Sequence, residues 1–351
     1  MVQSILPEFN LETESLELIP YGSGLINTTW KINHGREEYI LQRINHLVFK
    51  KPFEIAENIR KIADYLEQHS PGYLFVTPIR TRNKQELAFS ATDGYFRLFH
   101  FVKGSHTTDV VGDASEAYHA ARQFGRFTAL LAGFDASQLH ETIPDFHNLA
   151  LRFRQFRESI TNGNQERVTA ARQAIDQIMA YSNLVDQYEK ILHDPAFRTR
   201  VIHHDTKISN VLLDKDNKGL CVIDLDTVMP GYFISDVGDM MRTYLSPATE
   251  EETDLSKNEV RDEIFRAIVK GYLEEMGELL TAQEREAILY AGKFMIYMQA
   301  LRFLTDHFNN DSYYGTRYPG HNYNRALNQL DLLDKLCARE PQLKQILEDI
   351  Q

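Results

Sequence analysis

Cysteine is scarce in this chain: Cys221 and Cys337 are the two in 351 residues. Two thiols make no disulfide framework, and no zinc-ligand spacing occurs, so a reducing, cytoplasmic setting is expected. Long apolar runs are missing too. None approaches the roughly 20 residues that span a bilayer, which excludes a membrane partner for a helical span. Residues 1–10 show no basic region followed by an apolar core, so no secretion signal is expected. Positive charge is in deficit, with 38 Lys and Arg against 50 Asp and Glu and a formal net charge of −12. No basic stripe offsets it, which excludes a nucleic-acid surface. No G-x-x-x-x-G-K-[ST] is present, which excludes a P-loop nucleotide site. Low-complexity segments and internal repeats are also absent. What remains is 43% hydrophobic and 25% charged, ordinary for a globular enzyme long enough for two lobes with substantial cores.

The chemistry concentrates between Val201 and Thr227. His203, Asp205 and Asn210 stand in the spacing H-x-D-x-x-x-x-N, and Asp224 follows a turn-rich segment, residues 214–219. Val211–Leu213 and Leu220–Ile223 read as the two strands of a hairpin. Asp224 then lies where a buried strand ends, a costly place for a carboxylate unless a cation or hydrogen bonds satisfy it. Phosphoryl transfer needs a carboxylate beside the attacking hydroxyl and hard oxygen ligands for a magnesium ion. Asp205 suits the first task, Asn210 and Asp224 the second. Asp226 faces the same side as Asp224 if the strand continues, and suits the metal or a substrate. The plain alternative is a hairpin dressed with turn and cap residues.

These motifs resemble the catalytic loop and metal-binding aspartate of kinases. The chain is similar to the aminoglycoside phosphotransferase and choline kinase superfamily over most of its length. Val222–Gly231, Ser235–Arg242 and Arg302–His307 are especially similar to N-acetylhexosamine 1-kinases. The resemblance implies an α+β, two-lobed fold like that of protein kinases, with ATP and Mg2+ as cofactors. It implies that His203 and Asp236 support the catalytic loop, and that Arg43 replaces the usual strand lysine on the nucleotide phosphates. It also implies that Arg302 faces a sugar.

In chain order, Leu16–Pro20, Thr28–Asn33 and Glu38–Ile44 read as antiparallel strands. Between the first two, Gly22, Gly24 and Asn27 form a G-x-G-x-x-N turn that suits close approach to phosphates, or a simple glycine-rich hairpin. Pro52 opens a helix with Ile55, Ile59, Ile62 and Leu66 at helical spacing. Glu57 on it is the candidate partner for Arg43, with Glu54 second. Tyr73–Ile79, Glu86–Phe89 and Tyr95–Val102 supply further strands, and backbone groups of His100, Phe101 and Val102 are expected to meet the adenine edge at a hinge. The small lobe is placed at residues 1–102 and a helical lobe at 103–351.

Helices are expected at Ala117–Leu131, Leu149–Ile160 and Ala170–Ile191. Another opens at the Thr281–Glu284 capping box and runs toward Phe308, and one closes the chain from Asn322. Asp239 and Arg242 follow Asp236 on one helix. Arg302 and Asp306 lie four apart, so an intrahelical pair competes with the sugar role. Tyr314, in an aromatic loop, is a candidate sugar contact. The expected reaction is ATP- and Mg2+-dependent phosphorylation of the anomeric hydroxyl of an N-acetylhexosamine, by a monomer or weak homodimer. Choline, another amino alcohol or an aminoglycoside is the rival acceptor. A nucleotide-binding regulatory protein without catalysis is the rival of another class.

Overall fold

The computed structural model describes residues 2–12, 16–22 and 26–350. Five antiparallel strands open it: β1 (Leu16–Pro20), β2 (Thr28–His34), β3 (Glu37–Arg43), β4 (Ala88–Ser90) and β5 (Gly94–His100), in the order β1-β2-β3-β5-β4. Helix α1 (Pro52–His69) is inserted between β3 and β4. The register sets Leu41 opposite Leu98, Gln42 opposite Arg97 and Arg43 opposite Phe96. Opposed residues share a face and neighbours alternate. Leu41, Phe96, Leu98 and Ile32 therefore pack together, under Ile5, Leu6, Phe9 and Leu11 of the N-terminal turn. Gln42 and Arg97 face the other way. The expected strand at Tyr73–Ile79 is not formed; an isolated bridge from Ile79 to Leu98 stands in its place. Pro78 beside it has no N–H to give a ladder.

The helical part begins with α2 (Ala114–Leu130), α3 (Leu149–Asn162), α4 (Gln165–Ala170), α5 (Arg172–Ala180) and α6 (Asn183–His193). The single helix expected over 170–191 is broken at Tyr181, whose ψ of 11° leaves the helix. The break re-aims the apolar face, so that Ile175 and Ile178 before it and Leu184, Tyr188 and Ile191 after it are all buried. Two short hairpin-like pairs follow: β6 (Arg200–Ile202) with β9 (Met229–Gly231), and β7 (Val211–Leu213) with β8 (Gly219–Val222). Then come α7 (Phe233–Tyr244), α8 (Asp262–Met276), α9 (Ala282–Glu286), α10 (Ile288–Phe308), α11 (His321–Ala338) and α12 (Glu340–Ile350).

The capping box at Thr281 and Glu284 forms, but the helix it opens ends at Glu286. Glu284 is fully buried and also accepts from Arg200 and from the Arg198 backbone, which pins this turn to β6. Helix α10 restarts after Ala287 and is buried on nearly every side, as expected of a central post. Helices α3, α7 and α11 pack on it. At Gly238 a Cβ would lie 2.3 Å from the Ala291 carbonyl oxygen, so only glycine lets α7 approach this closely. That approach fixes where α7 presents Asp236 and Asp239. No described helix is long and apolar enough to cross a membrane.

Candidate active site

The loop between β6 and β7 carries His203, Asp205 and Asn210, and α7 holds it. Asp236 accepts hydrogen bonds from the backbone N–H of His203 at 2.9 Å and of His204 at 2.7 Å. Asp239 accepts from the Thr206 N–H at 2.8 Å, and the Tyr244 hydroxyl donates to the Thr206 carbonyl at 2.6 Å. His203, wholly buried, pairs through Nε2 with the Ile223 carbonyl at 2.9 Å, tying the loop to the end of β8. His204 (φ 67°) and Asp224 (φ 60°) both occupy the left-handed region. Strained backbone of this kind persists only where its surroundings over-determine it. Here Asp236 clamps the first residue and the β8 end carries the second.

This scaffold brings Asp205, Asn210 and Asp224 together. Asn210 Nδ2 donates to an Asp205 carboxylate oxygen at 2.9 Å, and the Asn210 carbonyl accepts from the Ile223 N–H at 2.8 Å, one residue before Asp224. Lys207 Nζ lies 3.1 Å from the same carboxylate oxygen. Burial pushes the Asp205 carboxyl up, but the charges of Lys207 and His203 outweigh it and hold the group below the usual range. Asp224 behaves oppositely. Burial first, and then the charges of Asp226 and Asp205, push its carboxyl up to about 7. Such a carboxylate wants a cation.

The residues fit a divalent ion of the magnesium type. Asn210 spends its amide N–H on Asp205 and keeps Oδ1, which with Asp224 makes a pair of hard oxygen ligands. Among the described residues no three His, Cys, Asp or Glu side chains converge into a metal cage. An ion that retains water and takes phosphate oxygens needs none.

On the sheet side the structure corrects two expectations. Arg43 lies on the apolar face with Phe96, where it reaches Thr28 Oγ1 at 3.3 Å and stays 39% exposed. Glu57 pairs with Lys61 at 2.7 Å and His140 at 2.9 Å; Glu54 pairs with Lys51. The structure therefore does not bring Arg43 and Glu57 together. The inward cation is Arg97, buried and ion-paired with buried Asp226, while its Nε donates to Gln42 at 2.8 Å. Asn27 Nδ2 donates to the other Asp226 oxygen at 2.8 Å, and its Oδ1 accepts from the Asn45 N–H at 2.9 Å. With both oxygens engaged by Arg97 and Asn27, Asp226 fastens the sheet and its first turn to the Asp224 loop.

Gly22 takes φ 79° at that turn; Gly24 lies outside the described residues. At the end of β5, His100 is paired with Tyr39, Phe101 N–H donates to the Glu38 carbonyl at 2.9 Å, and Val102 C=O accepts from Ser105. Among the described residues this leaves Phe101 C=O and Val102 N–H without an internal partner.

The sequence pattern of the phosphotransferase enzyme family matches residues 17–279, three quarters of the chain. The chain belongs to this family. It is a phosphotransferase, and solved kinases share its fold. A spectinomycin phosphotransferase bound to ADP and spectinomycin superposes with a TM-score of 0.60 at 12% identity, covering 97% of each chain. An ethanolamine kinase from Plasmodium vivax gives 0.59 at 13%, over 95% of this chain and 85% of that one. An amicoumacin kinase bound to AMP-PNP and Ca2+ gives 0.59 at 14%, over 95% and 93%.

Near the Asp205 loop of this phosphotransferase, α10, the loop before α3 and the loop after α10 meet in a wall around Arg302. Arg302 does not pair with Asp306. That carboxylate instead accepts from the Tyr313 and Tyr314 backbones at 2.8 and 2.9 Å and from Asn322. It shapes the aromatic loop and leaves Arg302 to other partners. The Arg302 guanidinium lies 5.4 Å from the Phe146 ring, 5.9 Å from Tyr313 and 5.5 Å from Tyr314. Gln299 accepts from it at 3.2 Å and donates to the Tyr314 hydroxyl at 3.2 Å. Phe146 stacks on His147, whose ring lies 5.3 Å from that of His204, next to Asp205.

Sequence reasoning missed Lys207, Arg97 and the stacking of His147. Arg97 had a signal: one charge inside the apolar strand Tyr95–His100.

Proposed function

We propose that this phosphotransferase transfers the γ-phosphoryl group of ATP to the anomeric hydroxyl of an N-acetylhexosamine. The observation that carries the acceptor class is the seat of Arg302. Phe146, Tyr313 and Tyr314 are the rings that would cage a quaternary ammonium. All three already surround the protein's own guanidinium. A cationic amino alcohol or aminoglycoside would meet like charge there, whereas sugar hydroxyls and an acyl carbonyl accept hydrogen bonds from it. The aromatic faces suit the apolar side of a sugar ring.

The chain's own groups account for the chemistry. Asp205, ionised and beside Lys207, orients the acceptor hydroxyl and takes its proton. Lys207 places a positive charge where the transferring phosphoryl oxygens carry negative charge. Phe101 C=O and Val102 N–H offer the acceptor and donor that the adenine edge matches. Arg97 and Asn27 position the Asp224 loop through Asp226. Asn210 and Asp224 would hold Mg2+, which when bound neutralises charge on the nucleotide phosphates. A regulatory protein without catalysis has no use for Asp205 and its flanking lysine. The spectinomycin and amicoumacin kinases bind an adenine nucleotide, and the latter Ca2+, in line with ATP and a divalent ion here.

Arg302→Ala tests the reading. Removing the guanidinium leaves sugar oxygens unpaired, about 1–3 kcal/mol for each, so the KM for the N-acetylhexosamine should rise about tenfold or more. The KM for ATP should hardly move. Unchanged sugar KM with a lower Tm would leave Arg302 a structural residue and remove this assignment.

A further inference from the structure

Arg302 is not alone. Arg152, on α3, donates through Nη2 to the Asp145 carbonyl at 2.9 Å and the Phe146 carbonyl at 3.3 Å, and through Nη1 to Gln155 at 3.0 Å. Its partners are neutral, and its buried Nε has none. Burial first, and then the Arg302 charge, pull its guanidinium below the ordinary value, so the two cations sense one another. His147, in the same loop, is held well below its ordinary value by burial first, then by His204 and the charges of Arg302, Arg242 and Arg152, and its Nδ1 has no partner.

Two neighbouring arginines are handled differently. Arg242 and Arg325 share Glu250, and Arg325 also meets Glu251. Among the described residues neither Arg152 nor Arg302 forms an ion pair with a carboxylate. Two like charges with neutral hydrogen-bond partners oppose one another in a half-buried wall, a cost that the Asp145 carboxylate near Arg152 offsets only in part. An electron-rich acceptor group would relieve it, while a cation would add a third like charge.

We infer that Arg152 is a second specificity-determining residue, acting with Arg302 to admit acceptors that present carbonyl, hydroxyl or carboxylate oxygen at this wall and to reject acceptors that present a cation. The inference deepens the sugar assignment by naming what the wall selects, namely charge. The loop that carries Phe146 hangs from the Arg152 guanidinium, so the filter and the aromatic face move as one unit. A purely structural Arg152 would hold the loop equally well for neutral and charged ligands. That difference makes the two roles separable.

The test uses pairs matched in shape and differing in charge: choline against 3,3-dimethyl-1-butanol, and glucosamine against glucose. Affinity is measured by calorimetry on the whole protein with AMP-PNP and Mg2+, and turnover where it occurs. The parent should favour the neutral member of each pair by about tenfold or more. In Arg152→Gln and in Arg302→Gln the preference should shrink several-fold, mainly because the cation binds better, while the ATP KM stays put.

Arg152→Lys should keep the preference, since the charge survives. A parent that binds both members of a pair equally, including no measurable binding of either, overturns the inference. So does a variant that weakens both members alike, which is what a structural role gives. If Arg152→Gln fails to fold, Arg152→Met is put through the same comparison, and equal binding of both members by the parent still overturns the inference. A parent that rejects cations yet turns over no N-acetylhexosamine retains the charge filter and loses the sugar. One that phosphorylates N-acetylglucosamine and binds choline as well as its neutral twin does the reverse.

Discussion

Asp205 accepts from Asn210 and sits 3.1 Å from Lys207, so its carboxylate is ionised yet has one side left for a hydroxyl. Asp205→Asn keeps the shape and removes the proposed proton acceptor. Turnover should fall about a hundredfold or more, with ATP affinity largely intact; near-parental turnover would move the base elsewhere. Asp224 is the complementary case, a carboxylate raised by burial and by two carboxylate neighbours. Asp224→Ala should abolish activity and strip the magnesium dependence from ATP binding measured by calorimetry. Equal magnesium dependence in variant and parent would mean that the metal is held by other ligands. Asp226 is a poor substitute, because Arg97 and Asn27 occupy its oxygens.

At the scale of elements, the sheet is joined to the catalytic hairpin by one buried ion pair, Arg97 on β5 with Asp226 after β8. Such a pair adds little net stability against a hydrophobic substitute, but losing one partner leaves a buried charge uncompensated. Arg97→Met should cost about 3–5 kcal/mol by urea denaturation, and Arg97→Met with Asp226→Asn should cost clearly less. Equal losses in single and double variants would show that the pair does not couple these elements. The pair also marks where the sequence was mute. Strands β1, β2, β3 and β5, helix α1 and the β7–β8 hairpin were legible from apolar spacing and turn residues, because local physics sets them. Whether Gln42 or Arg43 faces the cleft depends on a single step of alternation, fixed by the register with β5. The Tyr73–Ile79 segment read as a strand on composition alone, yet its ladder was closed by Pro78.

The whole molecule encloses two neutral histidines beside the catalytic loop. Burial first, with help from neighbouring cations, holds His147 well below its ordinary value and His204 near 3. An unfolded chain would protonate both below about 6.5, so each contributes stability that is present above that pH and lost on acidification. Asp224 and Asp236, raised to about 7 and about 6, act in the opposite sense, since the folded state holds their protons more tightly. The comparison must therefore be between variants. Relative to His147→Phe, the parent should lose about 1.4 kcal/mol per pH unit below 6.5, and parallel stability profiles would mean that His147 titrates freely.

The wall around Arg302 belongs to this scale too, drawn from α3, α10 and two loops far apart in sequence. The sequence left open whether Arg302 pairs with Asp306, and only the return of Tyr313 and Tyr314 onto that carboxylate shows that it does not. The most direct test of the whole account is product identification. Parent enzyme, ATP and Mg2+ are incubated with N-acetylglucosamine or N-acetylgalactosamine, ADP release is followed, and the phosphorus spectrum of the product is recorded. The account predicts ADP release that requires the sugar, a phosphate coupled to the anomeric proton, and neither in Asp205→Asn. ADP release driven by choline, ethanolamine or spectinomycin, with both N-acetylhexosamines inert, would contradict it.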